Sequence, residues 1–552
     1  MKNSVKDRIK QLMSIIPYNI WKVNNEKYIS DNDWLTTLLK AYKKILVFFP
    51  RYPFKYFFGE YKQAILAIGN SNQLDLIKIR EKLINYFVNG DTDEKMFAFC
   101  ILTECHLLDN ETVRRVLTDV IASDDRGYKY WMTMEISYAT FYVGGGFYND
   151  YYNHRREAMV SIADSLNLKV PPRRVVDEKR KKLCIVTYQL NPDMHNSAQR
   201  VCSMMANNLQ SYFDEVCVVC LDSTYKTKTE CREYLTISRT PGSFEHKKSI
   251  SEKFNQKINV IYSTGKSFSE RLNNSLLILY NFTPDIIIDI TDEYSPLSLH
   301  YSKDFFTVYV PMRGAASSLF YSAILGVPFK YEQTNMRFNN CIDMSKVIEW
   351  SFPEYIPPEQ GSMTKHDVGI SDGQFCIISI GNNSCFSNSF VDEICRILKN
   401  NDRIVWLLVG NNAPEYLHQK YAELLKDKRV IEWGYEDNLA GICRACDVHL
   451  RYDMTGGSGG TAIAAMQGLP VVMTNFICDA SRWLGLDYSS IDNYHDLAEE
   501  IQRLYSDREY YEARKQVTLE LVGKAVDSKE KWEDLYNTLI AAYERWKTEG
   551  HV

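Results

Sequence analysis

The sequence predicts an α/β protein with two tandem doubly wound, Rossmann-like parallel-sheet domains, preceded by an all-α domain. Three observations predict this class. Apolar residues recur at helical spacing in the first part of the chain. Short β-branched runs alternate with helical stretches from Lys182, and a second such set starts near Gln374. A chain of 552 residues has room for several domains.

The helical domain is expected over residues 1–172, with a role in binding an acceptor or a partner. Its clearest helices are QLDLIKIREKLINYFVNG and ETVRRVLTDVIAS. Asp93 and the pair Asp109-Asn110 precede such segments and are expected to cap them. The polar stretch LKVPPRRVVDEKRKK, which contains two prolines, then indicates a linker.

The first Rossmann-like domain is expected over residues 180–345. Its predicted strands are LCIVTYQL, EVCVVCLD, INVIYS, DIIIDIT and FFTVYV. Each run is short, apolar and rich in β-branched residues, and helical or polar stretches separate the runs. This alternation is typical of strands buried on both faces of a parallel sheet.

The second Rossmann-like domain is expected over residues 371–528, after a Pro-rich linker at 346–370. Its predicted strands are FCIISIGN, RIVWLLVGN, RVIEWGY, DVHLRY and LPVVMTN. The segment APEYLHQKYAELLKD is predicted to form one helix between the second and third of these strands. A last helix is expected within 529–552.

Composition excludes several classes of protein. The formal net charge of −5 argues against general nucleic-acid binding. No apolar run is long enough to span a bilayer, and the N-terminus does not resemble a secretory signal, so we expect a cytoplasmic protein. The 14 cysteines include the C-x-x-C pairs Cys217/Cys220 and Cys443/Cys446. The residues of the first pair lie in a strand-like run and face opposite sides. His449 is near the second pair but in the strand-like run DVHLRY, and no fourth ligand is close in sequence, so reduced cysteines that act as small apolar residues are favoured over a zinc site.

The segment RYDMTGGSGGTAIAAMQGLPVVMTN is the strongest candidate for a binding site. It places Gly457, Ser458, Gly459, Gly460 and Thr461 at the start of a predicted helix that follows a strand. The first turn of a helix has N–H groups without internal partners, and the helix dipole makes that end positive. With the two hydroxyl groups as further donors, the segment predicts a phosphate-binding site. The alternative is an ordinary Gly-rich connection.

These features together resemble the GT-B fold of glycosyltransferases over roughly residues 180–547. KKLCIVTYQL with NSAQRV resembles the first strand and turn, with Asn196-Ser197 replacing glycines. RVIEWGYEDNLAGICRACDVHLRY resembles the segment that faces the nucleotide base, and GGSGGTAIAAMQGLPVVMTN resembles the donor-phosphate loop and helix. The resemblance implies a nucleotide-diphosphate sugar as donor, and we expect it to be UDP-linked. It places the donor on the second Rossmann-like domain and the acceptor on the first, with transfer independent of a metal and no cofactor. The acceptor implied is a protein or a surface glycan, as in bacterial glycosylation.

The chain also departs from this family. Thr455 and Ile463 stand where the large retaining branch has two glutamates, so the acidic residue that would hold the donor ribose is missing. The stretch GNNSCFSNSF lacks the usual basic pair. Arg313 is the candidate extra charge for the diphosphate, and Arg482 is a second one. A salt bridge is the alternative for each. The stereochemical outcome stays open.

Three residues are candidates for the chemistry of transfer. His195 follows the first strand of the first Rossmann-like domain and is the candidate base, since histidine titrates near neutral pH. Asp292 and Glu293 follow DIIIDIT, and the resemblance directs them to the same cleft as base or acceptor ligands. The alternatives are a loop histidine without a role and carboxylates that cap a helix.

Further donor-binding candidates lie at two strand ends of the second Rossmann-like domain. Gly381, Asn382 and Asn383 follow FCIISI and are candidate phosphate or acceptor ligands, with a plain turn as the alternative. By resemblance, Trp433, Gly434 and Tyr435 would line the base pocket. Packing in the core is the alternative for Trp433.

Two other functions stay open. One is a non-catalytic GT-B subunit that binds an acceptor protein for a partner enzyme, and the other is a nucleotide-sugar 2-epimerase. The basic and aromatic stretch KAYKKILVFFPRYPFKYFFGEYK leaves peripheral contact with the inner face of a membrane open as well, although helix packing is favoured.

Overall fold

The computed structural model describes residues 39, 43, 73–91, 94–95, 97–99, 102, 107, 109–124, 132, 151–165, 168–171, 181–190, 197–221, 246–265, 268–291, 296–312, 321–337, 342–354, 361–381, 383–410, 413–453 and 456–549. The chain divides into two compact units. The first contains Met1–Ile348 and Tyr536–Val552, and the second contains Glu349–Leu535.

In the described part of the first unit, helices come first, and alternating strands and helices follow. Its helices are α1 (Gln73–Asn89), α2 (Asn110–Ala122), α3 (Tyr151–Ser165), α4 (Ser197–Leu209), α5 (Lys247–Ser251), α6 (Phe268–Phe282), α7 (Ser298–Tyr301) and α8 (Pro328–Arg337). Its strands are β1 (Lys182–Thr187), β2 (Glu215–Cys220), β3 (Asn259–Tyr262), β4 (Ile286–Ile290), β5 (Phe306–Tyr309), β6 (Ala323–Gly326) and β7 (Val347–Glu349). Asp109 caps α2 by accepting the Thr112 N–H, which confirms that predicted cap, whereas Asp93 lies outside the described residues.

The strands of the first unit form one sheet in the order β3-β2-β1-β4-β5-β6-β7. The pairs from β3 through β6 are parallel, and all five residues of β4 are buried. The five predicted strands are therefore confirmed as a doubly wound sheet. The short strands β6 and β7 were not predicted, because β6 (AILG) contains two residues of low β propensity and β7 (VIE) lies in the segment predicted as the Pro-rich linker.

The second unit contains the other sheet. Its strands are β8 (Phe375–Gly381), β9 (Ile404–Gly410), β10 (Val430–Gly434), β11 (Val448–Leu450) and β12 (Val471–Val472). Its helices are α9 (Asn388–Asn400), α10 (Glu415–Lys420), α11 (Ala422–Lys426), α12 (Leu439–Arg444), α13 (Ser458–Met466), α14 (Ser481–Leu484), α15 (Tyr494–Ser506) and α16 (Arg508–Ala525). A last helix, α17 (Lys529–Thr548), starts in this unit and continues into the residues grouped with the first.

The second sheet has the order β10-β9-β8-β11-β12, with parallel pairing throughout. This confirms the second doubly wound domain and the predicted fold class for the two α/β regions. The predicted helix APEYLHQKYAELLKD is instead two short helices, α10 and α11. They are interrupted at Tyr421, whose backbone (φ −128, ψ 31) is not helical.

The cysteines of the described part are free, and all but Cys385 are buried. Among those same residues, no cluster of three His, Cys, Asp or Glu side chains is placed to hold a metal ion. Within the described helices, none is both long and apolar enough to cross a membrane.

Candidate functional site

The strand order of the second sheet reverses between β8 and β11: the chain adds β9 and β10 on one side of β8, and β11 and β12 on the other. The two strands are adjacent, yet the helices that follow them lie on opposite faces of the sheet. Ile377 of β8 packs with the buried face of α9, and the next residue, Ile378, packs with Ala464 of α13. Open α/β sheets bind ligands in the crevice outside the carboxyl ends of such strands. The loops after β8 and β11 are therefore the place to look for a site.

The loop after β11 ends in a glycine whose backbone is left-handed. Gly457 caps α13 with φ 88 and ψ 25, a conformation that glycine adopts without steric strain. Gly460 lets the helix approach the sheet closely, since a Cβ there would lie 2.9 Å from Ile380 Cγ2. Gly459 is exposed, and a Cβ built on it meets no atom within 4 Å. The three glycines thus turn the loop, pack the helix and leave its first turn open.

The first turn of α13 is capped by no side chain, because its cap residue is Gly457. The N–H groups of Ser458, Gly459 and Gly460 therefore have no acceptor inside the helix. A left-handed residue followed by right-handed ones also turns successive N–H groups toward one side, as in backbone anion nests. With the helix dipole, this arrangement favours a bound anion.

The two hydroxyl groups of this segment face inward, unlike the expected phosphate donors. Ser458 Oγ donates to Glu354 Oε1 at 2.6 Å and accepts from Trp483 Nε1 at 3.0 Å. Thr461 Oγ1 accepts from Arg451 Nη1 at 3.0 Å and lies 3.1 Å from His449 Nε2. Both side chains are buried. The anion-binding groups that remain are backbone amides.

Arg482, the second candidate for an extra charge, forms a salt bridge inside the unit. Its Nη2 lies 2.6 Å from Glu354 Oε1, and the Glu354 side chain is only 5% exposed. Burial lowers the Arg482 pKa, but the nearby carboxylates of Glu354 and Asp479 raise it by more than burial lowers it, so the net pKa shift is upward. The Arg482 charge is therefore matched by Glu354. Arg313, the first candidate, lies outside the described residues.

Sequence reasoning gave no role to two residues at the end of β11. Buried Arg451 donates to the carbonyl oxygens of Gly456 and Gly457, the latter at 3.1 Å. His449 Nδ1 lies 3.2 Å from the Ile378 carbonyl oxygen. Burial, and then the Arg451 charge, lower the His449 pKa to about 3, so the imidazole is neutral. Nδ1 then donates to the carbonyl and Nε2 accepts from Thr461. The signal was a pair of polar residues inside the apolar run DVHLRY.

The loop after β8 starts at Gly381, which pairs closely with Gly410 at the end of β9. Gly381 is exposed with φ +123, and its register partner Gly410 has φ +117. A Cβ on Gly410 would lie 2.2 Å from the Gly381 carbonyl oxygen. Asn383 is buried and its Nδ2 donates to the Val409 carbonyl at 3.3 Å, which is a structural contact. Asn382 lies outside the described residues.

The residues predicted to line the base pocket lie at the end of β10. Trp433 is half-buried against the sheet and donates through Nε1 to Glu436 Oε2 at 2.9 Å. Gly434 has φ +85, and the Tyr435 side chain is 70% exposed. Two strands separate β10 from β11, so these two strands lie roughly 14 Å apart across the sheet, at three strand spacings.

The candidate catalytic residues His195, Asp292 and Glu293 lie outside the described residues. The first unit does contain a buried carboxyl group that the sequence reasoning missed. Asp289, in the middle of the apolar run DIIIDIT, accepts the Thr291 N–H at 2.8 Å and the Tyr301 hydroxyl. Burial raises the Asp289 pKa. These contacts describe a structural role for Asp289 near the end of β4.

Comparison with known proteins gives similarity of fold only. No protein-family model and no curated protein matches the chain. HepE from Anabaena, solved with UDP, is 13% identical over 65% of this chain and 100% of its own, with a TM-score of 0.47. The O-GlcNAc transferase of Thermobaculum terrenum is 13% identical over 93% of this chain and 98% of its own, with a TM-score of 0.49.

A glycosyltransferase from Rickettsia africae is 13% identical over 66% of this chain and 99% of its own, with a TM-score of 0.46. At this identity, and with TM-scores below 0.5, these likenesses assign neither a family nor an activity to this chain.

Proposed function

We propose that the chain is a glycosyltransferase that transfers a sugar from a nucleotide-diphosphate sugar, UDP-linked, to a protein or surface-glycan acceptor. One observation carries the proposal: a backbone anion cradle at the start of α13, at the edge of the second sheet where the strand order reverses. It is built from Gly457, with its left-handed backbone, and the first turn Ser458–Gly460.

The cradle suits the chemistry of sugar transfer. When the bond from the sugar to the nucleotide breaks, negative charge develops on the leaving diphosphate. Backbone N–H groups at a helix start are already oriented and stabilise that charge without reorganisation. A site of this kind needs no divalent cation for the diphosphate, so we propose metal-independent transfer.

The remaining roles follow the sequence. His195 is proposed as the base that accepts the proton of the acceptor hydroxyl, and Asp292 and Glu293 are proposed as alternative bases or as ligands of the acceptor. Tyr435 and Trp433 are proposed to contact the base of the nucleotide. A cytoplasmic location, with the inner face of the membrane as an alternative, stays a proposal as well.

The first experiment measures the melting temperature of the full chain with UDP, GDP, CMP, dTDP and their sugars. A ligand that binds the folded state stabilises it by about 2.7 kcal/mol at a hundred times its dissociation constant. A rise with UDP and UDP-sugars supports the proposal. If none of these compounds raises the melting temperature of the folded chain, the proposal is overturned.

A matched pair of variants then tests the location of the cradle. Gly459 is exposed and has open space around its Cα, so Gly459→Asp adds a carboxylate without a clash. An acidic residue in the first turn stabilises a helix, so the melting temperature should hold or rise while UDP binding is lost. Gly459→Asn, of the same shape but neutral, should keep most of the UDP affinity. Equal UDP affinity in both variants would show that the phosphates of UDP do not bind at the first turn of α13.

One observation favours a second function, a non-catalytic subunit that binds an acceptor protein. Ile463, at the position of the expected ribose-binding glutamate, is half-buried and packs against the core of the second unit. The weaker donor site that this implies would suit a subunit without turnover. Incubation of the pure chain with UDP-sugars separates the two functions, since an enzyme releases UDP by slow hydrolysis without a partner.

A further inference from the structure

We propose that Arg451 is the positioning residue of the donor site, which orients the N–H groups of the glycine loop toward the donor diphosphate. This inference rests on the proposed function and names a residue through which the cradle acts. Arg451 itself faces the interior and does not touch the donor.

The guanidinium group holds the loop from behind. Arg451 follows β11 directly and is 6% exposed. Its Nη1 donates to the Gly457 carbonyl oxygen at 3.1 Å and to Thr461 Oγ1 at 3.0 Å. Its Nη2 donates to the Gly456 carbonyl oxygen. Its Nε donates to Cys478 Sγ at 3.2 Å, which fixes the plane of the group.

The two carbonyl contacts determine where the next two N–H groups point. A trans peptide is planar, and its C=O and N–H bonds point in opposite directions. The described part of the chain has no cis peptide bonds. Because the Gly456 and Gly457 carbonyls point at Arg451, the N–H groups of Gly457 and Ser458 point away from it. These are the first groups of the proposed anion cradle.

An arginine suits this task better than a lysine. A guanidinium donates in several fixed directions from one plane, whereas an ammonium is a single point charge. Neutral His449 strengthens the arrangement, because its Nε2 accepts a hydrogen bond from the Thr461 hydroxyl and leaves the Thr461 lone pairs for Arg451. The chain His449–Thr461–Arg451 therefore connects the sheet to both loop carbonyls.

The test compares UDP with uridine, which lacks the phosphates, on the full chain by calorimetry. Arg451→Lys keeps the positive charge but loses the planar set of N–H donors of the guanidinium group. We expect its UDP affinity to fall about tenfold, the size of one charge-assisted hydrogen bond, while its uridine affinity stays within about twofold of the unchanged chain. A UDP affinity equal to that of the unchanged chain overturns the inference. So does an equal loss of both affinities, which would indicate a merely structural role.

A second pair covers the case in which Arg451→Lys does not fold. Thr461→Val removes the hydroxyl that orients Arg451 at nearly constant volume, and Thr461→Ser keeps that hydroxyl. The valine variant should lose UDP affinity selectively and the serine variant should not, so equal UDP affinities overturn the inference. The unchanged chain is measured first. If it binds no UDP, the proposed function fails, and this outcome is distinct from a failure of Arg451 alone.

Discussion

Glu354 and Ser458 are joined by a hydrogen bond of 2.6 Å, although 104 positions separate them in the chain. Glu354 lies ahead of the second sheet and bridges to Val526, the residue after α16. Ser458 is the first residue of α13. The same carboxylate oxygen also accepts from Arg482. The start of the candidate donor-binding helix is thus fixed by a carboxylate from the segment that enters the second unit.

Replacement of this carboxylate should destabilise the second unit. Glu354→Ala leaves the guanidinium of Arg482 and the hydroxyl of Ser458 without their acceptor. Removal of one partner from a buried ion pair costs about 3 kcal/mol or more, and urea denaturation measures that loss. Glu349→Ala is the control, because Glu349 is exposed and its loss should change the unfolding free energy by less than about 0.5 kcal/mol. Equal stability of the two variants would contradict the buried pair.

The sequence predicts the sheets well because their strands carry a local signal. In β4 and β9 nearly every residue is apolar and buried, so the run can be recognised without knowledge of its neighbours. β6 (AILG) contains two residues of low β propensity, and β7 (VIE) lies in the segment predicted as the linker, so neither carries this signal. The break between α10 and α11 at Tyr421 was also missed, since the apolar spacing continues across it.

The candidate site divides in the same way. The glycines of the loop could be recognised, because a helix start that approaches a sheet needs residues without a side chain. The inward orientation of Ser458 and Thr461 could not be predicted. It depends on Glu354, Trp483 and Arg451. The contacts of Ser458 with Glu354 and with Trp483 join residues that are far apart in the chain. Local periodicity carries no information about such contacts.

The buried His449 should make stability depend on pH. Its pKa is about 3 in the folded chain, lowered by burial and then by Arg451, and near 6.5 when unfolded. As pH falls below about 6.5, the unfolded chain binds a proton at His449 before the folded chain does. His449 therefore costs no stability above that pH, and the free energy of unfolding declines progressively as pH falls toward 3. Between pH 7 and pH 5 the loss from this group is about 2 kcal/mol.

Urea denaturation of the unchanged chain and of His449→Gln at both pH values measures this effect. Other titrating groups, including His300 with its lowered pKa, are common to both proteins and cancel in the difference. The variant should therefore lose about 2 kcal/mol less than the unchanged chain between pH 7 and pH 5. Parallel losses in the two proteins would show that His449 does not stay neutral in the fold.

The contact between the ends of β8 and β9 predicts an unusually harmful alanine. Gly410→Ala would place a Cβ 2.2 Å from the Gly381 carbonyl oxygen at a backbone with φ +117. Strain and steric overlap together should reduce the unfolding free energy by about 3 kcal/mol or more. Gly369 also has a positive φ, +76, but open space around it, so Gly369→Ala should cost only about 1 kcal/mol. Chemical denaturation compares the two, and similar losses would argue against the close approach.

The exposed ring of Tyr435 predicts a loss of nucleoside binding without a loss of stability. Because the side chain is 70% exposed, Tyr435→Ala should change the unfolding free energy by less than about 0.5 kcal/mol. Stacking of a base on an aromatic ring contributes about 1–3 kcal/mol, so the variant should bind both UDP and uridine at least about fivefold more weakly. Tyr435→Phe keeps the ring and should bind like the unchanged chain.

Calorimetry with both ligands separates this position from Gly459→Asp, which should weaken UDP binding alone. If Tyr435→Ala binds uridine with unchanged affinity, the base lies elsewhere on the second unit, and the proposed orientation of the donor, from the end of β10 to the start of α13, is wrong.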